Sequence, residues 1–170
     1  MPPAVVLVGP PGSGKTTVGR LLADRLGVAF RDTDDDVVAA AGSSIADLFV
    51  TRGEPAFREL ERAAVRAALA DHDGVLALGG GAVLDPTTRQ LLAGRCVVLL
   101  DVGPADAAAR VGLNRDRPLL LGNVRARLRE LLEARRPLYQ EVATVVVATN
   151  GRAPADVAAD VARAVHSRAG

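Results

Sequence analysis

Gly9-Pro10-Pro11-Gly12-Ser13-Gly14-Lys15-Thr16 is the stretch that decides the fold. It fits the pattern G-x-x-x-x-G-K-[ST], a loop whose backbone amides cradle phosphates while its lysine reaches the terminal ones. Residues 4–8, before it, form a continuous apolar run, as in a strand buried on both faces. Residues 16–26, after it, carry Val18, Leu21, Leu22 and Leu26 at helical spacing. Strand, glycine loop and helix together point amides and a positive dipole end at an anion. Lys15 is the only lysine in a chain whose lysines and arginines number 21. A composition that prefers arginine keeps lysine where a compact ammonium on a flexible stem is needed and a planar fork would not fit.

The strand-like runs recur at 4–8, 28–30, 75–78, 96–100 and 144–148, with helical patterns between them. That alternation predicts five parallel strands joined by crossover helices, in a three-layer α/β/α phosphate-loop fold. Helices are expected at 44–50, 53–69, 124–134 and 154–169, and from Asp85-Pro86, with Asp85 as cap and Pro86 at the first position. At 170 residues the chain suits one domain. Two stretches exceed a plain α/β pattern. Residues 34–74 are long and largely helical, enough to cover a substrate. Residues 112–122 form a polar, glycine-flanked segment suited to a mobile lid.

Composition narrows the function classes. Hydrophobic residues make up 49% but aromatic ones only 2%, so the core is built from Ala, Val and Leu. A net charge of +1, with arginines interspersed among acids, speaks against nucleic acid or a membrane surface as partner. No apolar run approaches the roughly 18 residues of a membrane span, and the first strand begins too early for a secretory leader. Cys96 reads as a small core hydrophobe. His72 and His166 are isolated and read as solvated.

Chemistry clusters at the expected strand ends, where ligands bind in α/β sheets. Asp32 and Asp34 follow the second strand and, on an extended segment, share one side. One suits Mg²⁺; the other could accept a hydroxyl proton. Helix capping by Asp34, Asp35 or Asp36 is compatible with this. Gly79-Gly80-Gly81 follows the third strand, where three glycines carry a backbone-entropy penalty that a close approach to a ligand explains. Arg58 and Glu61 share a helix face and form an ordinary surface ion pair on that ground alone. Arg135-Arg136 precede Pro137 and would end the helix begun near 124, where the dipole favours them.

Taken in order from residue 9 to about 154, these features resemble the shikimate kinase family. The matching segments are residues 12–16, Asp32-Thr33-Asp34, Ser44-Ile45-Ala46-Asp47-Leu48-Phe49 and Gly53-Glu54. They continue with Phe57-Arg58-Glu59-Leu60-Glu61, Leu78-Gly79-Gly80-Gly81-Ala82, Arg117-Pro118-Leu119-Leu120 and Arg135-x-Pro-Leu-Tyr139. The resemblance implies ATP-dependent phosphorylation of the 3-hydroxyl of shikimate, on the route to chorismate and the aromatic amino acids. By resemblance Lys15, Asp34 and Arg117 are catalytic. Gly12, Ser13, Gly14, Lys15, Thr16, Thr17, Arg110, Arg117 and Arg152 would hold ATP, and Thr16 and Asp32 would hold Mg²⁺. Arg58 and Arg135 would bind the substrate carboxylate, Asp34 its hydroxyls. Gly79, Gly80, Gly81, Phe49, Phe57 and Glu61 would complete the pocket. Arg136, adjacent to Arg135, is the alternative carboxylate ligand if the helix end lies one residue later. A cytoplasmic monomer is expected. Two other readings share the loop: a gluconate or nucleoside-monophosphate kinase, and an ATP-binding regulatory domain without turnover. The paired arginines with Asp34 favour a carboxylated polyol over a nucleotide acceptor, and intact Lys15, Asp32, Asp34 and Arg117 favour turnover.

Overall fold

The structure is a computed structural model and describes residues 3–103, 105–107, 109 and 121–169. Its strands are β1 (Val5–Val8), β2 (Phe30–Asp32), β3 (Val75–Ala77), β4 (Val97–Asp101) and β5 (Val145–Ala148). Its helices are α1 (Lys15–Leu26), α2 (Thr33–Ala41), α3 (Ile45–Asp71), α4 (Pro86–Leu92), α5 (Leu121–Val142) and α6 (Pro154–Ala169), with a 3-10 turn at Ala82–Leu84. The five strands form one parallel sheet in the order β2-β3-β1-β4-β5.

The pleat splits the core in two. Val5 and Leu7 of β1 face one layer and pack with Val18, Leu22, Val157 and Val161 of α1 and α6. Val6 and Val8 face the other and pack with Val65, Leu69, Leu92 and Tyr139 of α3, α4 and α5. Alternate side chains of one strand thus serve opposite layers, so the run must be apolar throughout. Thr16 to Leu26 as a helix, Asp85 as cap with Pro86 behind it, and α6 at Pro154–Ala169 all stand as the sequence indicates. Asp85 accepts from the Thr87 amide at 2.8 Å. The helices expected at 44–50 and 53–69 form one element interrupted at Gly53, where φ is 82° and ψ 170°. Only glycine adopts that conformation cheaply, and Pro55 then opens the second half.

Four expectations are corrected. The second strand starts at Phe30, not residue 28, because the Val28 amide still bonds to Ala23 O at 3.0 Å as part of the α1 terminus. Phe30 is the first residue in register with Val75. Asp32 and Asp34 do not share an extended segment: Asp32 ends β2 and caps α2, accepting from the Asp34 amide at 2.9 Å, so Asp34 sits in the first helical turn. Helix α5 does not stop at Arg135-Arg136 but runs through Pro137 to Val142. Proline in a helix costs about 3 kcal/mol, and burying Tyr139 and Val142 beyond it offsets that at about 1.5–3 kcal/mol for a large side chain. His72 is half-buried rather than solvated, its Nε2 3.0 Å from Val75 O; His166 is exposed. Cys96 is partly buried against the core, as expected. Arg110, Arg117 and residues 112–120 of the expected lid lie outside the described residues, while 121–122 begin α5. Among the described residues, no helix is long and apolar enough to cross a membrane.

Candidate active site

The C-terminal ends of β1, β2 and β5 open on a cleft of about 1050 Å³. Its wall includes Gly12, Ser13, Gly14, Lys15, Thr16 and Thr17 of the loop after β1, Asp32 and Asp34 after β2, Phe49 of α3, Gly80 after β3, and Arg152 after β5. Gly14 holds φ 90° and ψ 19°, a left-handed turn that starts α1 without a side-chain cap and leaves its first amides facing the loop.

Lys15 is folded back on its own loop. Its ammonium donates to Gly9 O at 2.7 Å, Pro10 O at 3.1 Å and Ser13 Oγ at 3.4 Å. Burial lowers its pKa from 10.5 to about 8, while the nearby carboxylates of Asp34 and Asp32 oppose that shift. Thr16 Oγ1 donates to Asp32 Oδ2 at 3.0 Å. These are two hard oxygen donors beside a phosphate cradle. Mg²⁺ ordinarily takes one or two protein oxygens, substrate phosphates and waters, so the pair fits it. Among the described residues there is no group of three or more His, Cys, Asp or Glu able to hold a metal ion.

Asp34 carries the strongest electrostatic signature. Burial, then the neighbouring Asp32, raises its pKa from 3.8 to about 6, against the pull of Lys15. A carboxylate poised there is ionised at neutral pH yet basic enough to take a proton. Asp36, two residues on, is occupied by Arg31 at 2.8 Å.

The three glycines after β3 make room for the protein's own groups. A Cβ on Gly79 would lie 2.7 Å from Asp34 Oδ1 and 2.8 Å from Glu61 Oε2. One on Gly81 would lie 2.5 and 2.6 Å from the two terminal nitrogens of Arg58, and one on Gly80 would press on Pro11 at 3.1 Å. The Gly79 amide itself is used by Thr33 Oγ1 at 3.3 Å. The triplet therefore lets two carboxylates and a guanidinium approach the backbone, which the close-approach argument foresaw with a ligand in that place.

Arg58 and Glu61 form more than a surface pair. They meet at 2.8 Å, and Glu61 is only 4% exposed. Burial raises the Glu61 pKa, Arg58 restrains the rise, and the second carboxylate oxygen, Oε2, has no hydrogen-bond partner. Phe57 packs on Phe49 at 4.9 Å between ring centres and lies under the Arg58 guanidinium at 5.1 Å. The charge of Arg135 acts on Lys15, Glu61 and Tyr139, which places it inside the same cluster. Arg136 points elsewhere, 3.9 Å from Asp101. Arg152 is held by Asp160 at 2.5 Å at the far end of the cleft.

The structure thus gathers Lys15, Thr16, Asp32, Asp34, Phe49, Gly80 and Arg152 on one cleft, with Arg58, Glu61, Gly79, Gly81 and Arg135 linked to it by contact or charge. Sequence reasoning passed over Thr149, Pro154 and Val157 on the wall near Arg152. Thr149 follows β5, and the strand-end rule applied to that strand was the signal for it.

The sequence profile of the family described as shikimate kinase matches residues 11–166. A shikimate kinase of Streptomyces avermitilis is 63% identical over 156 residues, covering 92% of this chain and 91% of its own. The chain belongs to the shikimate kinase family. A shikimate kinase of Rhodococcus jostii is 49% identical over 92% of this chain and 94% of its own. The solved shikimate kinase from Acinetobacter baumannii in complex with shikimate superposes with a TM-score of 0.89 at 37% identity, covering 96% of this chain and 93% of that one. A gluconokinase from Sinorhizobium meliloti has a TM-score of 0.57 at 21% identity, over 99% of this chain and 98% of its own, and shares the fold alone.

Proposed function

We propose that this shikimate kinase family member transfers the γ-phosphoryl group of ATP to the 3-hydroxyl of shikimate, giving shikimate 3-phosphate and ADP. The observation that carries the reading is the position of Asp34. A carboxylate with its pKa raised to about 6 stands between the phosphate-loop Lys15 and the glycine triplet that seats Arg58.

Phosphoryl transfer needs alignment and charge neutralisation more than covalent help. The loop amides and Lys15 hold the phosphates; binding them requires Lys15 to leave the carbonyls it now touches. Arg58 and Arg135 grip the substrate carboxylate through planar forks, with Glu61 keeping Arg58 in place. Asp34 orients the 3-hydroxyl and accepts its proton. As the oxygen bonds to the γ-phosphorus, the bond to the bridging oxygen breaks and ADP leaves. Thr16 and Asp32 would hold Mg²⁺, which neutralises charge on the phosphates. Arg110 and Arg152 are assigned to the nucleotide, and Arg117 to the transferring group. The reading takes the chain as a single kinase domain, a cytoplasmic monomer with neither nucleic acid nor membrane as partner.

The test compares acceptors. With ATP and Mg²⁺, coupled ADP release is expected with shikimate and not with gluconate or nucleoside monophosphates. Equal or faster turnover of gluconate would overturn the assignment.

A further inference from the structure

Tyr139 belongs to the Arg135-x-Pro-Leu-Tyr139 segment but has no part in the mechanism above. It is 3% exposed, and its ring packs into the core layer formed by α3, α4 and α5. Its hydroxyl donates to Gly80 O at 2.5 Å, across 59 residues of chain. Arg135, one turn earlier on the same face of α5, lies near enough for its charge to act on the same phenol. Burial raises the phenol's pKa above its ordinary value, so the donor proton stays in place at working pH.

The hydroxyl therefore joins two groups assigned to the substrate. Gly80 is on the cleft wall, and Arg135 is in the charge cluster beside it. A phenol donates one bond and accepts others. Donation to the carbonyl fixes the Gly80 peptide, and the same oxygen has lone pairs left to offer the nearby Arg135 guanidinium. Pro137 has no amide to donate to the carbonyl of Glu133, so the turn of α5 that carries Arg135 has one backbone bond fewer.

We propose that Tyr139 is a positioning residue: its hydroxyl locks the Gly80 peptide and the Arg135 fork together and so sets how tightly the substrate carboxylate is held. This rests on the shikimate reading of the cleft.

Tyr139→Phe keeps the ring and removes only the hydroxyl. The expected result is a KM for shikimate raised about tenfold, with the KM for ATP within twofold and kcat within threefold of the parent. Shikimate methyl ester, which lacks the carboxylate charge, should bind the parent and the variant equally when titrated. In an Arg135→Ala background the same change should add less than twofold. An unchanged KM for shikimate, an equal rise in both KM values, or an equal penalty on the ester would overturn the proposal. Thermal melting of each variant accompanies the kinetics. If Tyr139→Phe does not fold, the ester and the acid are compared on Arg135→Lys, which keeps the charge without the fork. Equal penalties on acid and ester there would also overturn it. Failure of the shikimate reading itself would show as absent turnover in the parent enzyme, which none of these outcomes mimics.

Discussion

Asp34→Asn should make the protein more stable and nearly inactive. Asp34 has its pKa raised from 3.8 to about 6, first by burial and then by Asp32. The fold therefore disfavours its ionised form. No penalty exists below about pH 4, where the group is neutral in both states. It grows between about pH 4 and 6, as the unfolded chain loses the proton first, and is complete above that. At 1.36 kcal/mol per unit the penalty is about 3 kcal/mol. Losing a carboxylate from the first turn of α2 costs back about 0.3–1 kcal/mol of dipole interaction, which Asp35 and Asp36 share. The net gain for asparagine is about 2 kcal/mol at pH 7.5, or roughly 4–8 °C in Tm for a domain of this size. The assay is calorimetric melting of parent and variant without nucleotide or metal at pH 7.5 and 4.5. The difference should be positive at the first pH and largely gone at the second. Turnover should fall about 10²–10⁴-fold with the base removed. A less stable variant at pH 7.5, a gain that ignores pH, or activity within tenfold of the parent would refute the reasoning.

Lys15→Arg should fold normally and lose at least a hundredfold in turnover, because a planar fork cannot reach between two phosphates as a compact ammonium on a flexible stem does; melting and steady-state kinetics on one preparation check both halves. Gly81→Ala should raise the KM for shikimate about tenfold with Tm within roughly 2 °C, since its Cβ displaces the end of the Arg58 side chain rather than backbone. A large Tm loss with unchanged KM would contradict that. kcat/KM should rise with pH through about 6, as Asp34 becomes ionised, and fall above about 8, as Lys15 loses its charge; a flat profile from pH 5 to 9 would count against both roles.

The fold is legible in the sequence where local chemistry fixes it. Val5 to Val8 is apolar on both faces and is buried on both. Asp85-Pro86 announces α4, and the gap between the helices expected at 44–50 and 53–69 falls next to the break in α3 at Gly53. Some of the misses come from a distant contact overriding a local signal. Pro137 reads as a helix end, yet the core contacts of Tyr139 and Val142 carry α5 past it. Residues 28–30 read as a strand, but its place is set by pairing with Val75, forty-odd residues away. At the site, the phosphate loop is local and readable. The reason for three glycines is not, because Asp34, Glu61, Pro11 and Arg58 reach them from separate elements. Nor could spacing alone choose Arg135 over Arg136. The structure separates them by facing one toward Glu61 and Tyr139 and the other toward Asp101.

The most direct test of the central claim is the identity of the product. The protein is incubated with ATP, Mg²⁺ and shikimate, and the product is read by phosphorus and proton nuclear magnetic resonance. The account predicts stoichiometric ADP and a single phosphate ester whose phosphorus couples to the proton on carbon 3. A phosphate on another hydroxyl, or ADP released without any ester, would contradict it.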